Sequence, residues 1–145
     1  MKQRLATRQT STGNVLPLTG SEPGNFETYL ARIEALARTG ADRFFVTIAE
    51  MNGPRFIQVS AERNRAGRLT YQFDLPVLDW SAGSADRIEA EATKRGLACR
   101  RVPGPPMAFL DVDFETSGDH AVFARWVVTE VFRLPPDSRF EITWG

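Results

Sequence analysis

Three runs of alternating apolar and polar residues, joined by very short connections, constrain this chain more than any other feature of its sequence. The runs are Arg43–Glu50, Arg55–Ala61 and Arg68–Leu75. Alternation with a period of two is typical of half-buried strands, and connections of a few residues can join only antiparallel neighbours. Asn52-Gly53 favours a two-residue hairpin turn between the first two runs, because both residues tolerate positive φ. The sequence therefore predicts an antiparallel meander.

Helical segments and shorter strands complete the pattern. Asn25 is a favourable N-cap for the first helix and Gly40 a favourable stop. The predicted helices are Phe26–Thr39, Ala85–Arg95 and a last segment capped by Ser117 or Asp119 and ended by Pro135-Pro136; the further strands are Leu97–Val102, Met107–Phe114 and Arg139–Trp144. The order α-β-β-β-α-β-β-α-β predicts an α+β fold, with an antiparallel sheet and helices packed mainly on one face.

The length of 145 residues fits one domain. Residues 1–24 are polar and show no periodicity, so we expect a flexible N-terminal tail with a short ordered stretch at Val15–Leu18. Residues 25–145 then form a single α+β domain. A domain of this size needs no disulfide or metal to stay folded.

Charge and hydropathy exclude several classes of partner. Lys plus Arg and Asp plus Glu number 18 each, and this zero net charge argues against a nucleic-acid partner. No apolar run approaches the ~20 residues that a membrane span requires, and the N-terminal residues do not resemble a signal peptide. Together with a single cysteine, these features predict a cytoplasmic protein that binds neither nucleic acid nor membrane.

The sequence contains no recognisable catalytic motif, so we expect no enzyme activity and no cofactor. His120, the only histidine, lies in the first turn of the last predicted helix, where a surface or capping role is favoured over catalysis. Cys99 lies in a strand, and we expect a small buried hydrophobe, since alternation puts Arg100 on the opposite face. One histidine and one cysteine cannot supply the roughly four ligands of a zinc site.

Asp111, Asp113 and Glu115 form the one polar arrangement that suggests chemistry. At alternate positions they project from one face of a strand, near its end. Such a group could bind a divalent cation or an Arg-rich partner, or supply an acid or base. The alternative, which we favour, is a solvated sheet face whose carboxylates are neutralised by arginines across the strands. We therefore predict no metal site.

Apolar residues on the second face of the strands favour an interface. Phe45, Phe109 and, less clearly, Ile57 fall opposite the main apolar stripe. If helices cover only one sheet face, these side chains are exposed, and exposed aromatic clusters are typical of homodimeric or heteromeric contacts. A helix or the N-terminal tail could instead cover them, and the sequence leaves both possibilities open.

Three short motifs resemble the superfamily that unites type III secretion chaperones with YbjN-like proteins, also called TY-Chap domains. They are Arg55–Val59, similar to an aromatic-hydrophobic-Gln strand; Leu75–Trp80, similar to a Leu-x-x-Leu-Gly-Trp segment; and Val131–Pro136 at the end of the closing helix, followed by a hydrophobic Phe140. The resemblance spans about residues 26–142. Asp79 stands where the family usually has Gly.

The resemblance implies an α/β sandwich that commonly dimerises, holds extended segments of client proteins and has no enzyme activity. We accordingly predict a non-catalytic, chaperone-like or adaptor domain, homodimeric, whose sheet face and hydrophobic groove engage a protein partner. The candidate contact residues are Phe45, Ile57, Trp80 and Phe109. A metal-dependent or small-ligand-binding protein using the acidic strand face of Asp111, Asp113 and Glu115, and a toxin-immunity protein, remain as alternatives.

Overall fold

The computed structural model describes residues 19–135 and 137–145, which fold around one seven-stranded antiparallel sheet. In chain order the elements are β1 (Gly20–Gly24), α1 (Phe26–Ala37), β2 (Arg43–Glu50), β3 (Phe56–Arg63), β4 (Leu69–Val77), α2 (Ala82–Lys94), β5 (Cys99–Val102), β6 (Ala108–Phe114), α3 (Ser117–Trp126), a π-helical segment (Val127–Val131) and β7 (Phe140–Trp144). The strands lie side by side in the order β1-β7-β2-β3-β4-β6-β5.

The predicted α+β fold class is confirmed, with its antiparallel sheet and its order of elements after β1. Alternate residues of the strands face the three helices and form one continuous core with them. Phe123 of α3, for example, packs against Phe73 of β4 and Phe114 of β6, with ring centroids 5.4 Å apart in both pairs. Within the described residues, no helix combines the length and the apolar character that a membrane crossing requires.

The strand β1 is the main departure from the predicted order. Residues 20–24 were expected in a flexible tail, and for them that prediction is wrong, because they pair antiparallel with β7 from Gly20 opposite Trp144 to Gly24 opposite Phe140. The sequence Gly-Ser-Glu-Pro-Gly has little strand propensity of its own, so the pairing partner decides its conformation. The rest of the predicted tail, including Val15–Leu18, lies outside the described residues.

The hairpin between β2 and β3 also differs from the prediction. Glu50 and Arg55 close it through the Glu50 N–H, which donates to the Arg55 carbonyl at 2.9 Å, so the loop has four residues instead of two. A two-residue turn at Asn52-Gly53 would pair Met51 with Pro54, and proline has no N–H to donate. The longer loop therefore follows from Pro54.

Arg55 joins this hairpin to the end of the π-helical segment. Its guanidinium donates to both carboxylate oxygens of Glu50, at 2.9 and 3.0 Å, and to the Phe132 carbonyl at 2.6 Å. The hydrogen bonds from Arg55 lower the pKa of Glu50. The segment itself closes with the Phe132 N–H donating to the Val127 carbonyl five residues earlier, and Arg133 then leaves the helix at a φ of 58°.

Candidate protein-interaction face

One side of the sheet points away from the three helices, and we call it the open face. It is built from the residues that alternate with core residues along the strands, and the register groups them into three rows. The apolar row contains Ala49, Phe56, Pro76, Phe109 and Val102; the polar row contains Thr47, Gln58, Asp74, Asp111 and Arg100; and the groove row contains Phe45, Ser60, Gln72 and Asp113.

Aromatic side chains lie half-buried at two ends of the open face. Phe45 and Phe109 occupy it as the alternation predicts, one in the groove row and the other in the apolar row. Trp80, also half-buried, lies beside Phe56, with ring centroids 6.0 Å apart, and reaches Phe132 at 6.1 Å. Trp80 therefore links the apolar row to the core.

The prediction that Ile57 lies on this face is wrong. Ile57 is 1% exposed and belongs to the core, opposite Ile48 of β2. The strand β3 turns Phe56 and Gln58 outward, so Ile57 between them must point toward the helices. The neighbouring Phe56, which the sequence analysis did not select, takes the place expected for Ile57.

Asp74 is the centre of the polar row. It is only 4% exposed, although no helix of the described chain covers this face. Its carboxylate accepts hydrogen bonds from the Ser60 hydroxyl at 2.6 Å, from the Gln72 amide at 2.6 Å and from the Gln58 amide at 3.3 Å. Three donors on two strands therefore replace the water that an exposed carboxylate would bind.

Asp111 lies directly opposite Asp74 on the adjacent strand and is 7% exposed. Burial, together with the hydrogen bond and the like charge of Asp74, raises the pKa of Asp111 from 3.8 to about 7. Two carboxylates this close cannot both ionise without repulsion, so below that pH the pair shares one proton. A protonated Asp111 can donate a hydrogen bond to Asp74, whose carboxylate already accepts hydrogen bonds from three other side chains.

Arg100 closes the polar row at the edge strand β5. Its guanidinium donates to the Asp113 carboxylate at 2.8 Å and to the Gln72 side-chain carbonyl at 2.7 Å, and lies 3.9 Å from Asp111. The predicted neutralisation of acidic residues by arginine across strands is therefore found, but Asp111 is buried instead of solvated. In the described part of the chain no group of three or more His, Cys, Asp or Glu side chains is placed to hold a metal ion.

A groove of about 1000 Å³ crosses the open face beside the groove row. Its floor is made by neighbouring strands β2, β3, β4 and β6, with Ser60 and Gln72 near the middle. Phe45 and the terminal Gly145 lie at one end, and Glu115 and Asp119 of the β6–α3 junction lie at the other. The groove is open to solvent and large enough for several side chains of a partner.

His120 and Cys99 lie on the core side of the sheet. The expected surface or capping role of His120 is wrong, because its side chain is fully buried between Phe114 and Tyr29, whose hydroxyl lies 3.4 Å from the imidazole Nε2. Burial lowers the pKa of His120 to about 3, so the ring is neutral. The predicted caps Ser117 and Asp119 are also wrong, since Thr116 caps α3 and accepts a hydrogen bond from the Asp119 N–H.

Cys99 agrees more closely with the sequence analysis. It lies half-buried against the core, and Arg100 points to the other face. Burial raises the pKa of the Cys99 thiol, which favours the unreactive protonated form. Neither residue contributes to the open face.

The polar network around Asp74 is the part of the candidate site that sequence reasoning missed. The alternation of β4 places Gln72 and Asp74 opposite the apolar stripe, so their direction could have been predicted. Their meeting with Asp111 could not, since it depends on the register between β4 and a strand some 35 residues later.

Comparison of this chain with protein-family models, with curated proteins and with solved structures finds no match. The resemblance to the secretion-chaperone superfamily therefore remains an expectation from three short motifs.

Proposed function

We propose that this chain is a non-catalytic protein-binding domain, chaperone-like or adaptor in type, that holds a partner protein on the open face of its sheet. The observation that carries the proposal is the groove, with half-buried Phe45 at one end, beside an apolar row that contains Phe56 and Phe109. Aromatic side chains left partly accessible next to polar groups are typical of interface centres.

The arrangement of the helices supports this proposal. All three described helices pack on one side of the sheet, so the core of the domain is complete without the open face. The open face nevertheless carries aromatic side chains that a purely solvated sheet face would replace by polar ones. Burying such rings against a partner contributes on the order of 1.5–3 kcal/mol for each one fully covered.

The sheet edges are a weaker candidate for the same role. An extended segment could add to an edge strand by β-augmentation. However, β5 has only four residues and two arginines, and β1 contains Pro23, which lacks an N–H. Short, charged or proline-containing edges disfavour strand addition. Binding across the open face is therefore the mode that we favour, with a homodimer as the proposed state of the domain.

The double variant Phe45→Ser/Phe109→Ser tests the proposal. We expect it to keep the far-ultraviolet circular dichroism of the parent, since the core is on the other face. It should lose the partner recovered by pull-down and mass spectrometry, or lose self-association in sedimentation. The matched control is Val122→Ser on α3, a 63% exposed apolar residue remote from the open face. If the double variant retains the partners of the parent, this face is not the interface.

The acidic pair supports a second candidate function, binding of a small ligand. Strongly perturbed carboxyl groups occur at functional sites more often than elsewhere, and Asp111 is one. A calcium or manganese titration of the parent and of Asp111→Asn, followed by thermal unfolding, tests the metal version. A metal-dependent rise of the melting temperature that disappears in Asp111→Asn would support it, and its absence would leave the protein-binding proposal alone.

A further inference from the structure

The groove carries an excess of acidic side chains. Five charged side chains line it: Arg43, Glu62, Asp113, Glu115 and Asp119. Four of the five are acidic, although the whole chain carries equal numbers of acidic and basic residues. A concave surface lined by one sign of charge attracts the opposite sign, because a low-dielectric wall concentrates the field.

Ion pairs inside the domain neutralise only part of this charge. Glu62 lies 3.8 Å from Arg43, but both side chains are largely exposed and such a pair contributes little. Asp113 is held by Arg100. Among the described residues, no ion pair involves Glu115 or Asp119. Both residues line the groove, on the β6–α3 junction, and their charge is left for a cationic group of a partner.

The β2 end of the groove holds an aromatic ring, Phe45, together with the exposed Arg43. Phe45 lies there beside Gly145, where a Cβ atom would come within 2.8 Å of the ring, so the backbone packs directly against Phe45. From β2 to β6 the groove crosses three strand spacings, on the order of 14 Å. An extended chain spans that distance in about four to five residues.

We propose that this groove docks a short basic segment of the partner protein, with an apolar side chain over Phe45 and an arginine or lysine beside Glu115 and Asp119 about four residues away. The inference rests on the proposed function and adds the chemistry of the partner. A second copy of the chain packed groove to groove fits less well, because its groove carries the same acidic excess. Residues 1–18 of the chain, which contain Lys2, Arg4 and Arg8 and no acidic residue, are the competing occupant that the test must separate.

The test is a titration of the full ¹⁵N-labelled chain with two peptides, followed by amide chemical shifts. The first probe is acetyl-Ser-Leu-Leu-Ser-Arg-Arg-Ser-amide, and the second has glutamates in place of both arginines. We expect the arginine peptide alone to shift amides of the groove, such as those of Ser60, Gln72 and Glu115, and the dissociation constant to rise at least fivefold between 20 and 300 mM NaCl. No shift at millimolar peptide, or equal shifts with both peptides, would overturn the proposal.

Charge variants locate the site and separate the occupants. Glu115→Gln/Asp119→Asn should raise the dissociation constant of the arginine peptide about tenfold, whereas Glu130→Gln/Asp137→Asn, which removes the same charge elsewhere, should leave it within twofold. Lys2→Glu/Arg4→Glu/Arg8→Glu should also leave it within twofold. If that last variant instead binds the peptide at least tenfold more tightly, the chain's own N-terminal segment occupies the groove and the proposed partner chemistry is wrong.

The outcome of this test is separable from that of the proposed function. If the Phe45→Ser/Phe109→Ser variant loses its partner but the arginine peptide does not bind, the open face is an interface of a different chemistry. If the peptide binds in the groove but the double variant keeps its natural partner, the groove binds cationic segments but the natural partner binds elsewhere.

Discussion

Replacing Asp111 by asparagine should stabilise the domain at neutral and alkaline pH. Asparagine has nearly the same shape, carries no charge and can donate an amide hydrogen to Asp74 as the protonated aspartate does. It therefore keeps the hydrogen bond of the pair and removes the repulsion that appears when both carboxyl groups ionise.

The magnitude follows from the pKa of Asp111. A rise from 3.8 to about 7 corresponds to at most about 4 kcal/mol, at about 1.36 kcal/mol per pH unit. Because the pKa is raised in the folded state, the stability contributed by Asp111 is fully present below about pH 4 and is lost as the pH rises to about 7. The unfolding free energy of Asp111→Asn minus that of the parent should therefore be near zero at pH 4 and reach a few kcal/mol at pH 8.

Urea denaturation at several pH values between 4 and 8 measures this difference. The comparison uses the unfolding free energy of the variant minus that of the parent, because the other groups that titrate in this range contribute equally to both and cancel. Asp113→Asn is the control: Asp113 is paired with Arg100 and its side chain is 44% exposed, so this variant should show a small, nearly constant difference. If Asp111→Asn is destabilising at pH 8, or its difference does not grow with pH, the buried carboxyl pair does not behave as argued.

Two other side chains give further predictions. His120 is buried and neutral beside Tyr29, with a pKa of about 3. Its contribution to stability is therefore present above about pH 6.5 and is lost as the pH falls toward 3. We expect the His120→Gln variant to lose less stability than the parent between pH 6.5 and 4 in the same urea assay. Arg55→Lys cannot reproduce the paired hydrogen bonds to Glu50 together with the bond to the Phe132 carbonyl, and we expect it to lower the unfolding free energy by about 1–2 kcal/mol. An unchanged urea midpoint for Arg55→Lys would mean that this junction is not stabilising.

The faces of the strands could be predicted from the sequence because alternation is a local property. Phe45 and Phe109 were placed correctly on the face away from the helices, as were Arg100 and the acidic residues of β6. The meander β2-β3-β4 followed from the short connections. Ile57 was assigned to the outer face although Phe56 and Gln58, its neighbours in β3, already pointed to that face by the same alternation.

The features that the sequence did not reveal depend on contacts distant along the chain. β1 forms because it pairs with the edge of β7, about 120 residues later in the chain. His120 is buried because α1 brings Tyr29 against the start of α3. Asp74 meets Asp111 only through the pairing of β4 with β6. In each case the local pattern is compatible with several partners, and only the packed fold selects one.

Site-specific photo-crosslinking in the cell that makes the protein shows which face of the domain a partner contacts. A photoreactive benzoylphenylalanine would replace Thr70, an exposed residue that lines the groove, or Ala90, an exposed residue on α2. We expect a discrete crosslinked protein from position 70 and none from position 90. The same adduct from both positions, or an adduct from position 90 alone, would contradict the assignment of the open face as the binding surface.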